Sequence, residues 1–384
     1  MNISVIGVGR LGICFALLLD RSGYQVTGTD IRTNYVARLN QRRITTTEPA
    51  VADMLKQSNI KFITDTRKSI ADSDIIYIMV ATPSLADGSY NIAAVKRIID
   101  DVEECEFDIS GKILIIGCTT NPGDCQRIQD RLRERGIRVL YNPEFIAQGS
   151  IIQDLENADM VLIGGEDLAA IDQCKLMYNK IQLNKTPNVH TMSLTAAEIV
   201  KIGINCFLTA KISYANMIGQ VLVRSSLEED VDRALKAIGA DSRVGSKCLH
   251  YGVGYGGPCL PRDNRAFAHY AQQVGLNFPL GSIIDQFNHD HTNFIAKCLV
   301  DKNIDRKPFY IKYISYKPNV DIFQESQQYR LCVQLLEEGF KVYVEPDPNI
   351  PVKLVSDLKF RFKNCIQFVS IKNLSKQDIF QLDL

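Results

Sequence analysis

The stretch "NISVIGVGRLGICFALLLDRSGYQVTGTD", residues 2 to 30, restricts the fold more than any other part of the chain. Its apolar run "ISVIG" suits a strand buried on both faces of a parallel sheet. Gly7, Gly9 and Gly12 follow as G-x-G-x-x-G, and "LGICFALLLDRSG" continues with helical character. Asp30 closes the next strand-like run, 18 residues after Gly12. A lone G-x-G-x-x-G is a weak signal. After a strand, opening a helix and with an acid at that distance, it predicts a dinucleotide-binding βαβ unit. In such a unit Gly7 permits the tight turn, Gly9 lets backbone amides approach a pyrophosphate, and Gly12 allows close helix–strand packing. The helix N-terminus adds partial positive charge. Asp30 is expected to accept from both ribose hydroxyls and to repel a 2′-phosphate, which selects NAD over NADP, with Arg32 weakening that preference slightly.

The runs "SDIIYIMVATPS", "KILIIGCTT", "IRVLYNPEF" and "ADMVLIGG" also have strand character, with helical segments between several of them. That alternation predicts a parallel, doubly wound sheet. Thr82-Pro83, Thr119-Thr120 and Asn142-Pro143-Glu144 each fall just after a strand, at the sheet edge where ligands bind in open α/β folds. From about residue 193 a long, proline-free, apolar-periodic stretch begins, predicting one long helix and then shorter ones. Lys201 and Asn205 share one face of it. From about residue 291, "KPFYIKYISYKPNVD" and "GFKVYVEPDP" suggest two strands around the helix "ESQQYRLCVQLLEEG". The expected fold is therefore α/β: an N-terminal Rossmann doubly wound domain over 1–192, a central long-helix region over 193–290, and a smaller Rossmann-like α/β domain over 291–384.

One short stretch stands apart. In "GYGGPCLPRDNRAF", residues 254 to 267, glycine and proline density argues against a helix or a central strand and predicts a rigid turn. Cys259 sits in that turn, either as a reachable reactive thiol or as a small hydrophobe in an ordinary loop. The chain has eleven cysteines, with no CxxC pair and no zinc spacing among them. No metal is expected, and most are expected to be buried thiols in a reducing compartment. Basic and acidic residues balance at 44 each, so no field is available to hold nucleic acid or an anionic membrane. The N-terminus runs directly into a strand, unlike a signal peptide. No apolar run is read as reaching the roughly 20 residues that span a bilayer. The expectation is a cytoplasmic, soluble protein.

The motifs "GVGRLG", "VATPS", "YNPEFIAQGS", "VKIGINCF", "DSRVGSKCL", "GYGGPCLPRD" and "YKPNVD" occur in this order and cover nearly the whole chain. Together they resemble the UDP-glucose/GDP-mannose dehydrogenases, NAD-dependent four-electron oxidoreductases of nucleotide sugars. The resemblance implies that Cys259 is a covalent nucleophile and that Lys201 and Asn205 stabilise negative oxygen on C6. Asp263 with Thr119 positions a water, and Glu144 acts as general acid/base. It further implies cofactor contacts from Gly7, Gly9, Arg10, Leu11, Gly12, Asp30, Thr82, Pro83, Thr119, Gln148 and Arg262. Implied substrate contacts come from Glu144, Phe145, Ile146, Lys201, Asn205, Arg243, Tyr255, Gly256 and Lys317. Arg243 corresponds to an arginine that reaches the neighbouring subunit's site, which implies a homodimer built on the long helix.

Three departures bear on activity. Gln148 stands where the family commonly has a second glutamate, and it cannot take a proton. The usual glycine before "YKP" is absent, and Gln324 replaces the arginine of a D-x-R-E-S signature in the domain that binds the nucleotide end. Leu260 after the cysteine is also seen in GDP-mannose enzymes. UDP-glucose is the favoured substrate; GDP-mannose, a UDP-N-acetylhexosamine, or a non-catalytic binding role are the alternatives. The intact set Glu144, Lys201, Asn205, Cys259 and Asp263 speaks against the last.

Overall fold

The computed structural model describes residues 1–183, 187–277 and 280–382. The chain forms two compact units, Met1–Ile202 and Gly203–Leu384, and the division falls within the helix Leu194–Arg224.

The first unit is built on an eight-stranded sheet: β1 (Asn2–Ile6), β2 (Gln25–Thr29), β3 (Lys61–Ile63), β4 (Ile75–Ile78), β5 (Ile113–Ile116), β6 (Arg138–Tyr141), β7 (Met160–Gly164) and β8 (Asn188–Met192). The order is β3-β2-β1-β4-β5-β6-β7-β8. The strands from β3 to β6 are parallel, whereas β7 meets β6 antiparallel at Tyr141–Gly164 and then pairs parallel with β8. The sequences "IIYI" of β4 and "ILII" of β5 are buried at every position, as strands covered on both faces must be. The polar strand β8, "NVHTM", lacks that signature and escapes sequence reasoning. The chain reverses its winding between β1 and β4, the switch point where such sheets bind ligands.

The helix Arg10–Arg21 buries every residue from Gly12 to Leu19. Its Phe15 packs on Tyr77 with ring centroids 4.5 Å apart and on Tyr178 at 6.2 Å. Each large side chain so buried contributes about 1.5–3 kcal/mol.

The second unit carries helices Val231–Ala240, Leu260–Gln273 and Leu280–Lys302, followed by a four-stranded sheet of β9 (Phe309–Ile311), β10 (Val342–Val344), β11 (Ile366–Phe368) and β12 (Phe380–Gln381). The order is β11-β10-β9-β12, all parallel, with helix Gln327–Glu337 between β9 and β10. Within "KPFYIKYISYKPNVD" only three residues form strand. Pro318 has no N–H for a ladder, and Asn319 turns left-handed at φ 63°.

Two expectations are corrected. The stretch 254–267 is not all turn: the helix Leu260–Gln273 begins directly after Cys259. Pro261 is tolerated because it lies in the first turn, where an N–H would find no intrahelical acceptor. Second, the helix Leu194–Arg224 is long and apolar enough, by length and composition, to cross a bilayer. Between residues 202 and 223 it carries one charge, Lys211.

Candidate active site

In the first unit the glycine turn has the geometry its sequence requires. Gly7 adopts φ +96°, and a Cβ on Gly12 would lie 2.1 Å from the Gly7 carbonyl oxygen. A Cβ on Gly9 would meet nothing within 4 Å, so the helix N-terminus opens onto free space. Asp30, 8 % exposed, stands at the end of β2. Its two oxygens accept a fork of bonds from Arg32, from Nε and from the terminal nitrogen, both at 2.8 Å, and the guanidinium lies 4.2 Å from the Tyr35 ring centroid. A ribose must therefore share Asp30 with Arg32. Arg10 donates to Thr47 Oγ1 at 3.2 Å, and Leu11 packs against the core. Thr82 is buried beyond the end of β4, Pro83 beside it is exposed, and Thr119 is half-buried beyond β5. The donors around Gly9 and the carboxylate of Asp30 fit a pyrophosphate and a ribose diol, respectively.

Glu144, 8 % exposed, follows β6. Burial pushes its carboxyl up to about 7, against the hydrogen bond from Tyr178 and the charge of Lys201, which pull it down. Lys201 Nζ donates to the Glu144 backbone carbonyl at 2.7 Å and lies 4.7 Å from the Phe145 ring centroid. Ile146 packs on the core, while Gln148 has a buried Oε1 with no hydrogen-bond partner among the described residues. A raised carboxyl has a stability consequence. The folded state favours protonated Glu144, so this contribution to stability is complete below pH 4.5 and is lost as pH rises through about 7. Glu144→Gln carries no such term. The variant's melting temperature should rise relative to the natural protein across that window and level off above it; a difference independent of pH would contradict the burial argument.

Sequence reasoning missed two carboxylates that hold these loops. Glu198, fully buried, accepts from Thr120 Oγ1 at 2.7 Å and from the amides of Gly123 and Cys125 at 2.6 and 2.9 Å. It thereby satisfies free N–H groups at the start of helix Asp124–Leu132. Glu48, 3 % exposed, accepts from the Gly149 amide at 2.7 Å and steadies the loop bearing Gln148. Its signal was absent because its partners lie about a hundred residues away in sequence.

In the second unit Cys259 is exposed and occupies the N-cap position of helix Leu260–Gln273. Asp263 is fully buried; its Oδ2 accepts from Asn205 Nδ2 at 2.6 Å, its Oδ1 lies 3.3 Å from Arg262 Nε, and its amide donates to the Cys259 carbonyl at 2.8 Å. Six cysteines are buried, three are half-buried, and only Cys365 shares Cys259's exposure. The glycines before Cys259 accommodate the chain's own packing: a Cβ on Gly256 would lie 2.3 Å from the Glu325 carbonyl oxygen. Tyr255 is buried, its hydroxyl 3.5 Å from Asp285 and 3.3 Å from Asn264 Nδ2. Asn288, also missed in sequence, clamps the Tyr255 peptide from both sides, accepting from its N–H at 2.9 Å and donating to its carbonyl at 2.8 Å. Lys317 is half-buried, its Nζ 5.8 Å from the Tyr316 ring. Arg243 is exposed and forked onto Asp241 at 3.0 and 2.7 Å. No group of His, Cys, Asp and Glu suited to a metal ion occurs among the described residues.

Residues 1–182 match the UDP-glucose/GDP-mannose dehydrogenase family, NAD binding domain, and residues 195–290 match that family's central domain. YtcA of Bacillus subtilis (strain 168) is 30% identical over 365 residues, 92% of this chain and 83% of its own. UDP-glucose 6-dehydrogenase YwqF of the same organism is 29% identical over 341 residues, 85% of this chain and 75% of its own. The UDP-glucose dehydrogenase from the hyperthermophilic archaeon Pyrobaculum islandicum superposes with a TM-score of 0.84 at 25% identity, covering 97% of this chain and 86% of that one. With the nucleotide turn at Gly7–Gly12 and the cysteine at a helix start, these likenesses establish that the chain belongs to the UDP-glucose/GDP-mannose dehydrogenase family, NAD-dependent oxidoreductases of nucleotide sugars.

Proposed function

We propose that this chain oxidises the C6 alcohol of UDP-glucose to the carboxylate through a covalent adduct on Cys259. The observation that carries this reading is the exposed thiol at a helix N-terminus, one turn from a buried Asp263 held by Asn205. The partial positive charge of that helix end favours an anionic sulfur. When bound, NAD accepts the hydride released in each of two oxidations. The Cys259 thiolate adds to the intermediate aldehyde, forming a carbon–sulfur bond and an alkoxide. That thiohemiacetal loses hydride to give a thioester, and water then cleaves the carbon–sulfur bond, returning the thiolate. Lys201 and Asn205 stabilise the negative oxygen, Asp263 and Thr119 position the water, and Glu144 takes its proton. Leu260, also seen in GDP-mannose enzymes, supports a second reading, GDP-mannose or a UDP-N-acetylhexosamine in the same reaction, while Gln324 leaves the nucleotide end open and, with Gln148, speaks weakly for a non-catalytic binding role.

The test is NADH formation from NAD with UDP-glucose, UDP-N-acetylglucosamine, UDP-N-acetylmannosamine, UDP-galactose and GDP-mannose in turn. Two NADH per sugar with UDP-glucose is the expected result. Two with another sugar moves the substrate assignment, one marks a simple alcohol dehydrogenase, and none with any sugar marks a binding protein.

The functional unit is proposed to be a homodimer. On the helix Leu194–Arg224, Phe207, Tyr214, Met217 and Val221 recur at heptad-like spacing and are all exposed, an apolar stripe that suits a second copy of this helix. If Arg243 serves the partner's site, Arg243→Ala and Cys259→Ser, each impaired alone, should regain activity when their subunits are exchanged. Exchanged dimers no more active than their parents would remove Arg243 from the site.

A further inference from the structure

Behind Glu144 lies a buried hydrogen-bond chain that neither the sequence nor the proposed mechanism uses. Asn142 Nδ2 donates to the Leu162 carbonyl at 2.8 Å, which fixes the amide so that Oδ1 is the acceptor facing two tyrosines. The Tyr77 hydroxyl bonds to this Oδ1 and lies 3.1 Å from the Asn142 carbonyl. The Tyr178 hydroxyl lies 2.8 Å from the same Oδ1 and also bonds to Glu144 Oε1. Tyr178 thus has one hydrogen and two neighbours. When Glu144 is ionised, Tyr178 donates to it. When Glu144 is protonated, its own O–H donates to the Tyr178 oxygen, and the Tyr178 hydrogen turns to Asn142 Oδ1. Each protonation state leaves the carboxyl and the hydroxyl paired, in a buried place where an orphaned polar group is costly.

We propose that Tyr178 is a positioning residue that holds the Glu144 carboxyl in one place through both of its protonation states, its hydroxyl reversing from donor to acceptor as the proton arrives. This rests on the reading of Glu144 as the base of thioester hydrolysis, and it supplies what that role needs: a carboxyl that gains and loses a proton without moving. The groups facing Glu144 are few. Helix Leu168–Ile181 contributes Tyr178 and Cys174, β4 contributes Tyr77, and the helix Leu194–Arg224 contributes the Lys201 charge. Burial drives Tyr77, Tyr178 and Cys174 well above their ordinary values, so none of the three competes with Glu144 near neutrality.

The test is the pH profile of kcat for the full-length protein, read as NADH formation with saturating NAD and nucleotide sugar. Tyr178→Phe deletes the donor that favours the carboxylate, so Glu144 should hold its proton to higher pH and the acidic limb should move up. A move of one pH unit costs about tenfold in kcat below the limb, recovered above it. The KM for NAD and for the sugar should stay unchanged. Should Tyr178→Phe fail to fold, 3-fluorotyrosine at position 178, a stronger donor of nearly the same shape, should move the limb down. A limb unmoved by either replacement overturns the proposal. Glu144→Gln separates the two layers: a slow variant without the limb upholds the base, whereas a variant with natural kcat removes the base and the role built on it.

Discussion

Cys259→Ser is expected to bind NAD and nucleotide sugar as the natural protein does and to lose turnover by at least about 10³-fold. Affinity is not expected to depend on the sulfur. Binding is assigned to the glycine turn, to Asp30 and to residues such as Lys317, none of which the substitution touches. The proposed chemistry does need it. The serine hydroxyl stays protonated at neutral pH, and the carboxylate nearest in sequence, Asp263, is already bound by Asn205 and paired with Arg262. The fold should survive, because position 259 is exposed and serine is a good residue at a helix N-cap. The variant should stall with at most about one equivalent of product per site, seen as a covalent sugar ester by intact mass. Cys259→Ala should permit one hydride transfer at best. In the natural protein an alkylating reagent should reach both Cys259 and Cys365, the two exposed thiols, but nucleotide sugar should protect only the first. Two NADH per sugar from Cys259→Ala at a near-natural rate would reduce the loop to a turn and end the covalent mechanism.

Sequence made the first unit legible because its signals are local. The run "ISVIG", the three glycines and Asp30 lie within one βαβ segment, and the close approach that requires Gly12 comes from the Gly7 carbonyl of that same segment. The apolar runs of β4 and β5 announce burial on both faces. The helix after Cys259 was obscured by Pro261, a breaker in a helix interior but a favourable residue in its first turn. The long helix was legible in its proline-free apolar period, but its membrane-length apolar run was not, because Asn205, Thr209, Ser213 and Asn216 interrupt it; the fold buries the last three. Glu48, Tyr178, Glu198 and Asn288 share a different reason for being missed. Each acts through partners 33 to 103 residues away in sequence, and no spacing rule connects a carboxylate at 48 with an amide at 149. Family motifs brought the residues of the proposed mechanism into view, but the groups that hold them appear only once the chain is folded.

Lys201→Ala is expected to lower kcat by about 10²–10³-fold while leaving KM for NAD nearly unchanged, the loss typical of removing one donor from a developing oxyanion. Lys201 is anchored rather than free-swinging: its ammonium is bonded to the Glu144 carbonyl and its charge lies over the Phe145 ring. A preorganised cation spends nothing on reorientation when, in the proposed mechanism, negative charge appears on the C6 oxygen, both as the thiolate adds to the aldehyde and as water adds to the thioester. The same contacts give the side chain a structural role, so loss of activity alone does not decide the matter. Losing the bond to the Glu144 carbonyl should cost about 1 kcal/mol of stability, a modest fall in melting temperature. Lys201→Met keeps the aliphatic stem and restores most of the packing, but it supplies neither charge nor donor. Its stability should recover toward the natural value while its kcat stays as low as that of Lys201→Ala. If methionine restores kcat as well, Lys201 is a packing residue, and the stabilisation of the oxyanion must fall to Asn205 alone.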